Sequence, residues 1–168
     1  YGPFSRDNDL QTVAVEQNGE TVPTEKTGRT GGLPFIGKGS YRTTFEVADT
    51  ASRAVTILFD GAMSNAHVKV NGKEVAQWPY GYNSFYVDVT PEVVPGTNTL
   101  EVSLENYERA SRWYPGAGLY RNVHVIETDR VHVPVWGTYV TTPNVSADES
   151  TVKLTTEIEG LAKGDKIS

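Results

Sequence analysis

Arginine and aromatic side chains are concentrated in one stretch of the chain, Ser111 to Arg121. Arginine can donate two parallel hydrogen bonds to hydroxyl groups or a carboxylate, and an indole or phenol ring can stack on the apolar face of a sugar. These residue types therefore suit carbohydrate binding. In a structural alternative, Trp113 and Tyr120 fill the core of the protein instead. Arg112 and Arg121 then pair with carboxylates.

A second aromatic cluster runs from Trp78 to Tyr86 and includes Tyr80, Tyr82 and Phe85. Because successive side chains of a strand point to opposite faces, only some of these rings can enter the core. The outward rings predict a contact with a partner domain or a glycan.

The three histidines predict structural roles rather than a metal site. His67, His124 and His132 have none of the two- or four-residue spacings that bring two imidazoles onto one metal ion. The chain also lacks the Gly-x-Ser-x-Gly motif of a serine nucleophile. The glycines of Gly37-Lys38-Gly39 precede a predicted strand, whereas a phosphate loop precedes a helix.

No pair of carboxylates can be nominated for glycoside hydrolysis, which needs two acids about 5 to 10 Å apart. Four acidic residues have the pattern of turns or solvent-facing positions: Asp60, Asp88, Glu101 and Glu105. The sequence therefore predicts no catalytic residue, no cofactor and no metal ligand.

Composition excludes several classes of partner. The 168 residues include 15 basic and 21 acidic side chains, for a formal net charge of −6. Nucleic acids and anionic membranes bind a positive surface, so neither is expected as a partner. No apolar run approaches the roughly 20 residues that span a bilayer. The absence of cysteine rules out disulfides and thiolate chemistry.

Hydrophobic residues alternate with a period of two from Ser40 onward, which is typical of strands. In the first strand, the set Tyr41, Thr43, Phe45 and Val47 is predicted to face a core, and the alternating set Arg42, Thr44 and Glu46 to face water. Asn71-Gly72 predicts a tight hairpin turn, and Thr90 is expected to cap a short helical turn that begins at Pro91. Many short strands with little helix predict an all-β fold, an antiparallel jelly-roll sandwich. The predicted strands are Tyr41 to Val47, Ala54 to Phe59, His67 to Val70, Glu74 to Trp78, Ser84 to Val89, Thr99 to Leu104, Asn122 to Glu127, Val131 to Val135, Tyr139 to Thr142 and Thr151 to Glu159.

The two ends of the chain differ from its middle. Residues 1–36 are polar and glycine-rich and predict mostly a long loop, with one strand at Gln11 to Val15. We place a domain boundary near residue 130, so that residues 131–168 are the incomplete start of a second sandwich. Tyr1 is not an initiator methionine, and we expect the chain to be a piece of a longer protein. Its localisation is left open, with the periplasm or the exterior preferred to the cytoplasm.

Several sequence blocks, in order from about residue 37 to about residue 130, resemble the N-terminal sugar-binding jelly-roll domain of glycoside hydrolase family 2. This family contains β-galactosidases, β-glucuronidases and β-mannosidases. The blocks are Gly39-Ser40-Tyr41-Arg42-Thr43-Thr44-Phe45, Phe59 to Val68, Val70-Asn71-Gly72, Gly81-Tyr82-Asn83-Ser84-Phe85, Val87-Asp88-Val89-Thr90, Gly96-Thr97-Asn98-Thr99-Leu100, Ser111-Arg112-Trp113-Tyr114 and Gly116 to Val123. The sequence around Trp136 to Pro143 resembles that of the β-galactosidase-like members. In those members an immunoglobulin-like sandwich begins at this point of the chain.

The resemblance implies a retaining glycosidase, with β-galactosidase first among the activities. In such enzymes a (β/α)₈ barrel carries two catalytic glutamates and follows the immunoglobulin-like domain, so it lies beyond this chain. The jelly roll packs beside that barrel, and its loops help to form the rim of the sugar pocket. The resemblance implies that Ser111, Arg112 and Trp113 contact substrate, a β-galactoside or related glycoside, with Lys38 as the next candidate.

This sequence departs from the galactose-binding pattern at two places. Some β-galactosidases have an aspartate just before the tryptophan of this loop and an asparagine just ahead of the first-strand tyrosine. Here those neighbourhoods are Ser111-Arg112 and Ile36 to Gly39. Two other hypotheses stay open, a stand-alone carbohydrate-binding jelly-roll module and a structural sandwich without sugar contact. Jelly rolls often hold a structural calcium, although no acidic cluster indicates one here.

Overall fold

The computed structural model describes residues 12–17, 20–25, 37–107 and 118–163, and its regular elements are thirteen antiparallel strands. The strands are β1 (Thr12–Gln17), β2 (Glu20–Glu25), β3 (Gly37–Val47), β4 (Arg53–Phe59), β5 (Ala62–Met63), β6 (Ala66–Val70), β7 (Lys73–Trp78), β8 (Phe85–Asp88), β9 (Gly96–Asn106), β10 (Gly118–Leu119), β11 (Val123–Asp129), β12 (Thr138–Val145) and β13 (Ser150–Thr156). The predicted all-β antiparallel fold is confirmed. Across these same ranges, no helix has the length and apolar character to cross a membrane.

Two sheets enclose the core. A four-stranded sheet has the order β3-β9-β6-β7, and a three-stranded sheet has the order β11-β4-β8. In β4, Val55, Ile57 and Phe59 are fully buried and alternate with partly exposed side chains, as a strand with one face on a core requires. Both sheets contribute apolar side chains, most of them valine, to one buried cluster, which is the arrangement of a β-sandwich.

A stack of three aromatic rings links the two sheets. Phe85 of β8 stacks on Phe59 of β4 with ring centroids 4.7 Å apart, and on Trp78 of β7 at 5.1 Å. Tyr80 and Tyr82, in the loop between β7 and β8, stay exposed. The prediction that only part of this aromatic cluster points inward is confirmed.

The hairpin between β6 and β7 turns at Asn71-Gly72, as predicted. Both residues have positive φ, 51° and 82°, which asparagine and glycine adopt most readily. Asn71 also joins the hairpin to β9, because its backbone N–H donates to the Thr99 carbonyl at 2.9 Å and its Oδ1 accepts the Thr99 N–H at 2.9 Å.

Asn98 is a fully buried polar residue at the start of β9. Its Oδ1 accepts hydrogen bonds from the Val94 N–H and the Asn71 Nδ2, both at 2.8 Å. Its Nδ2 donates to the carbonyls of Val94 at 2.8 Å and Gly96 at 3.0 Å. The side chain therefore satisfies the backbone of the 94–97 turn and fixes the neighbouring hairpin turn to it.

The short turn after β8 forms as predicted, but Thr90 does not cap it. The Glu92 and Val93 N–H groups donate to the Val89 carbonyl at 2.9 and 3.1 Å. Asp88 Oδ1 accepts the Thr90 N–H at 2.9 Å, while Thr90 Oγ1 accepts the Val55 N–H at 2.9 Å. Asp88 thus takes the capping role, because the threonine hydroxyl is used to join this turn to β4.

Strand β3 extends beyond the core at its N-terminal end. Val47 is buried and Phe45 partly buried, whereas Thr43 and Tyr41 are exposed, although the alternation predicted all four to face inward. The prediction is therefore wrong for Tyr41 and Thr43, because the buried cluster ends before this part of the sheet.

The regions before β3 and after β11 also depart from the predictions. One strand was predicted near the N-terminus, and the structure has the hairpin β1-β2. The predicted strand over residues 131–135 is wrong: His132 forms an isolated bridge with Glu159, and Pro134 supplies no N–H donor. Strands β12 and β13 pair as a separate two-stranded sheet. The boundary near residue 130 stays a prediction.

Candidate functional site

Three of the four predicted substrate-binding residues, Ser111, Arg112 and Trp113, lie outside the described residues. They belong to residues 108–117, which we call the 108–117 segment. Lys38 is described. The position of the site therefore follows from the described residues on either side of this segment, at the end of β9 and in β10.

The 108–117 segment follows β9, and the last residues of this strand are hydrogen-bonded to the corner between β5 and β6. The Glu105 N–H donates to the Ser64 carbonyl at 2.9 Å. The Glu105 carbonyl accepts hydrogen bonds from Ser64 Oγ at 3.0 Å and Asn65 Nδ2 at 3.1 Å. These three hydrogen bonds hold the backbone two residues before the last residue that the structure describes on this side.

The C-terminal end of the segment is fixed by the same corner. Gly118 and Leu119 form β10, which pairs with Met63 and Ala62 of β5. The Leu119 N–H also donates to the Tyr41 hydroxyl at 3.4 Å. The described residues on both sides of the 108–117 segment are thus bonded to residues 62–65.

Gly118 permits a close contact at this anchor. Its φ is +104°, and a Cβ atom there would lie 2.5 Å from the Tyr41 hydroxyl oxygen. We expect Gly118→Ala to lower the free energy of unfolding by about 2 kcal/mol, because backbone strain adds to the steric conflict. Urea unfolding measures the change.

Gly39→Ala is the matched control, since a Cβ atom at Gly39 would meet no atom within 4 Å. We expect it to change the stability by less than about 1 kcal/mol, the small glycine-to-alanine backbone effect. Equal losses in the two variants would show that the Tyr41 contact does not constrain Gly118.

Lys38 lies beside the N-terminal anchor of the segment. In the register of β3 and β9, Lys38 is opposite Glu105, and its Nζ lies 3.4 Å from the Glu105 carboxylate. The lysine side chain is 75% exposed. An exposed ion pair of this kind contributes about 0 to 1 kcal/mol, so the ammonium group stays available to a ligand. The structure therefore brings Lys38 and the base of the 108–117 segment together.

Tyr120 lies just after the segment and is not in the core, contrary to the structural alternative. Its ring covers Gly61, where a Cβ atom would lie 2.5 Å from the ring carbon Cζ. Its hydroxyl donates to the Gly81 carbonyl at 2.7 Å. The Arg121 guanidinium lies 5.5 Å from the centre of the Tyr120 ring, within the range of a cation–π contact.

A shallow groove of about 310 Å³ crosses the outer face of the four-stranded sheet. Across its floor, Arg42 Nε lies 3.3 Å from the Glu101 carboxylate. The sequence does not indicate this groove, because its residues come from three strands that only the sheet register brings side by side. It is lined by Ser40, Tyr41, Arg42, His67, Lys69, Glu101, Val102 and Ser103.

The carboxylate of Glu74 flanks this groove and holds the His67 ring. Hydrogen bonds from the Gln77 amide and then from His67 keep the pKa of Glu74 below its usual value. His67 Nδ1 lies 3.1 Å from Glu74 Oε2. The ionised carboxylate therefore fixes the orientation of the imidazole.

The other two histidines also have polar partners, a carboxylate for His124 and a backbone carbonyl for His132. His124 Nε2 lies 3.0 Å from Asp60 Oδ2, and His132 Nδ1 lies 3.1 Å from the Arg130 carbonyl. In the part of the chain that the structure describes, no three histidine, aspartate or glutamate residues group as metal ligands.

This chain matches one family model and is similar to parts of much longer proteins. A family model described as "Glycosyl hydrolase 2 galactose-binding domain-like" matches residues 35–134. The chain is 38% identical to the β-galactosidase BoGH2A of Bacteroides ovatus over 93% of this chain and 19% of that protein. It is 28% identical to a β-glucuronidase of Formosa agariphila over 71% of this chain and 14% of that protein. The chain thus spans at most a fifth of the length of these relatives.

The fold is also similar to a solved structure. The crystal structure of a glycosyl hydrolase family 2 member from Bacteroides cellulosilyticus superposes with a TM-score of 0.70 at 34% sequence identity. The match covers 75% of this chain and 18% of that chain. Sequence and structure therefore give the same family.

Proposed function

Because this chain belongs to the glycosyl hydrolase 2 galactose-binding-domain-like family, we propose that it is the noncatalytic N-terminal domain of a retaining β-galactosidase. The galactoside preference is supported by the similarity to the Bacteroides ovatus β-galactosidase over 93% of the chain. The catalytic carboxylates then lie in a barrel domain that follows in the longer protein.

In the proposed role, this domain supplies one side of the rim of the sugar pocket. Arg112 donates hydrogen bonds to sugar hydroxyls or orients a carboxylate of the barrel, and Trp113 stacks on the sugar ring or wedges the loop. One observation carries this proposal: Lys38 and the described residues on both sides of the 108–117 segment lie at a single corner of the sandwich. Anchoring at both ends limits the conformations of a loop before substrate binds, which lowers the entropy cost of binding.

The first experiment compares this chain with a form extended to its natural C-terminus. Both are assayed on nitrophenyl β-galactoside, β-glucuronide and β-mannoside. We expect the extended form to cleave the galactoside and the 168-residue chain to cleave none of the three. Hydrolysis by the short chain would contradict the noncatalytic role, and an extended form inactive on all three would contradict the glycosidase proposal.

In the extended form, Arg112→Ala should lower kcat/KM about tenfold, the loss of one hydrogen bond from a charged group. Lys38→Ala should lower kcat/KM about threefold, because the ammonium group is more exposed and flexible. Steady-state kinetics on the preferred nitrophenyl glycoside measure both effects.

Lys73→Ala is the matched control for Lys38. Lys73 is 68% exposed and its Nζ pairs with Glu92 at 2.7 Å, but it lies at the hairpin end of the sheet, away from the 108–117 segment. Unchanged kinetics for Arg112→Ala and Lys38→Ala, as for Lys73→Ala, would show that this side of the domain does not contact substrate.

A β-glucuronidase is the second candidate. Lys38 is exposed beside the half-buried Glu105 carboxylate, and Arg112 is a second cation on the adjoining segment, so both could bind the carboxylate of a glucuronide. The Formosa agariphila relative has this activity in its name. The same glycoside panel distinguishes the two candidates. For a β-glucuronidase, kcat/KM for the glucuronide would exceed kcat/KM for the galactoside.

A further inference from the structure

We propose that an aromatic patch beside the 108–117 segment forms an outer subsite for the further sugar units of an oligosaccharide substrate. The patch consists of Tyr80, Tyr82, Tyr120 and Arg121. This inference rests on the proposed glycosidase function and adds to it a class of substrate, a β-linked oligosaccharide rather than a simple glycoside.

The two tyrosines of the loop between β7 and β8 are exposed. Tyr80 is 57% and Tyr82 49% exposed, and their ring centroids lie 5.6 Å apart with a 56° angle between the ring planes. Two tilted rings at this distance offer aromatic faces in different directions. Such faces stack on the C–H groups of pyranose rings, which are apolar on one side.

The loop that carries these rings is held in place at three points. The Trp78 indole N–H donates to Asn83 Oδ1 at 3.0 Å, and Ser84 Oγ donates to the Asp60 carbonyl at 3.1 Å. The Asn65 N–H donates to the Pro79 carbonyl at 3.2 Å. The aromatic rings are therefore presented on a braced backbone, which lowers the entropy lost when a ligand binds.

Tyr120 and Arg121 extend the patch from the other side of Gly81. The Tyr120 hydroxyl bonds to the Gly81 carbonyl at 2.7 Å, between the positions of the two loop tyrosines. The exposed Arg121 guanidinium, 5.5 Å from the Tyr120 ring centre, carries several N–H donors. Aromatic faces next to a planar hydrogen-bond donor are the combination that recognises the apolar and hydroxyl sides of a sugar.

The patch continues directly into the C-terminal anchor of the 108–117 segment. A Cβ atom on Gly81 would lie 2.7 Å from Met63 Cγ, so the loop backbone packs on Met63. Met63 in turn pairs with Gly118 in β10. A chain of sugars bound at the proposed rim can therefore extend onto the patch without leaving the surface of this domain.

The test uses the extended enzyme and two substrates, methyl β-galactoside and a β-linked galactotetraose. We expect Tyr80→Ala to lower the ratio of kcat/KM for the tetraose to kcat/KM for the methyl glycoside about three- to tenfold, the range for losing one aromatic contact. Tyr80→Phe keeps the ring and should keep the ratio. Tyr139→Ala, which removes an exposed tyrosine of β12, is the matched control and should also leave the ratio unchanged.

An unchanged ratio in Tyr80→Ala overturns the subsite. One form of this outcome is a parallel fall of both kcat/KM values, which would mean that the patch packs on another domain. Thermal unfolding of each variant identifies that case by a lower Tm. If wild-type enzyme cleaves methyl β-galactoside and the ratio does not respond, the glycosidase proposal stands without the subsite. If it cleaves neither substrate, both proposals fail.

Discussion

Replacing Asn98 by alanine is expected to lower the free energy of unfolding by about 3 kcal/mol. The variant would leave the Val94 N–H and the carbonyls of Val94 and Gly96 without their side-chain partner. Asn71 would also lose its contact with Asn98 Oδ1. Each buried polar group without a partner costs about 1 to 3 kcal/mol, and not all of these groups lose every partner.

The measurement is thermal unfolding of the chain, in which a loss of this size should lower Tm by about 6 to 12 °C. Asn83→Ala is the control, because this exposed asparagine accepts a hydrogen bond from the Trp78 indole. It should cost about 1 kcal/mol. A loss for Asn98→Ala no larger than for Asn83→Ala would mean that water replaces the buried asparagine side chain.

Phe85→Ala should lower the free energy of unfolding by about 4 kcal/mol. Phe85 is 2% exposed and stacks on Phe59 and Trp78, so its removal leaves a cavity between the two sheets. Large-to-small substitutions of buried phenylalanine cost about 3 to 5 kcal/mol, because the surroundings only partly close the cavity. Urea denaturation with tryptophan fluorescence measures the change.

The adjacent residue in the same strand supplies the control. Tyr86 points to the outer face, where its ring lies 5.3 Å from Trp136 in an edge-to-face contact. Tyr86→Ala should therefore cost about 1 kcal/mol. If the two alanine variants lost similar stability, the aromatic stack would not be a main link between the sheets.

The parts of the fold that depend on neighbouring residues could be predicted from the sequence. Asn71-Gly72 indicated its hairpin because this pair adopts positive φ angles at little cost, and the structure has them. The alternation in β4 predicted a strand with one buried face. The resemblance in sequence blocks predicted the family, which the comparisons confirm.

What the sequence could not indicate depends on residues far apart in the chain. Thr90 was expected to cap its own turn, but its hydroxyl accepts the N–H of Val55, which is 35 positions away in the chain. The alternation around Tyr41 was the same as in a buried strand, and only the extent of the core shows that this residue lies outside it. The network of Asn98 likewise needs the hairpin turn at Asn71, which the fold brings to it.

For the candidate site, the sequence identified residue types and the structure added their surroundings. Lys38 was selected by resemblance, and the β3-β9 register explains why it adjoins the 108–117 segment. The roles of Ser111, Arg112 and Trp113 stay predictions, which the kinetic variants test. The aromatic patch needed the structure, since Tyr120 is 39 positions from Gly81 in the chain.

The paired anchors of the 108–117 segment also bear on how such domains diversify. Since the described residues on both sides of it are bonded to residues 62–65, the sandwich itself holds the two flanks of the segment together. Doubling the length of a flexible loop costs only about 0.6 kcal/mol of closure entropy. Insertions, deletions and wholesale replacement between these anchors therefore leave the scaffold almost as stable as before. The segment between these anchors can therefore change in evolution with little effect on the stability of the sandwich.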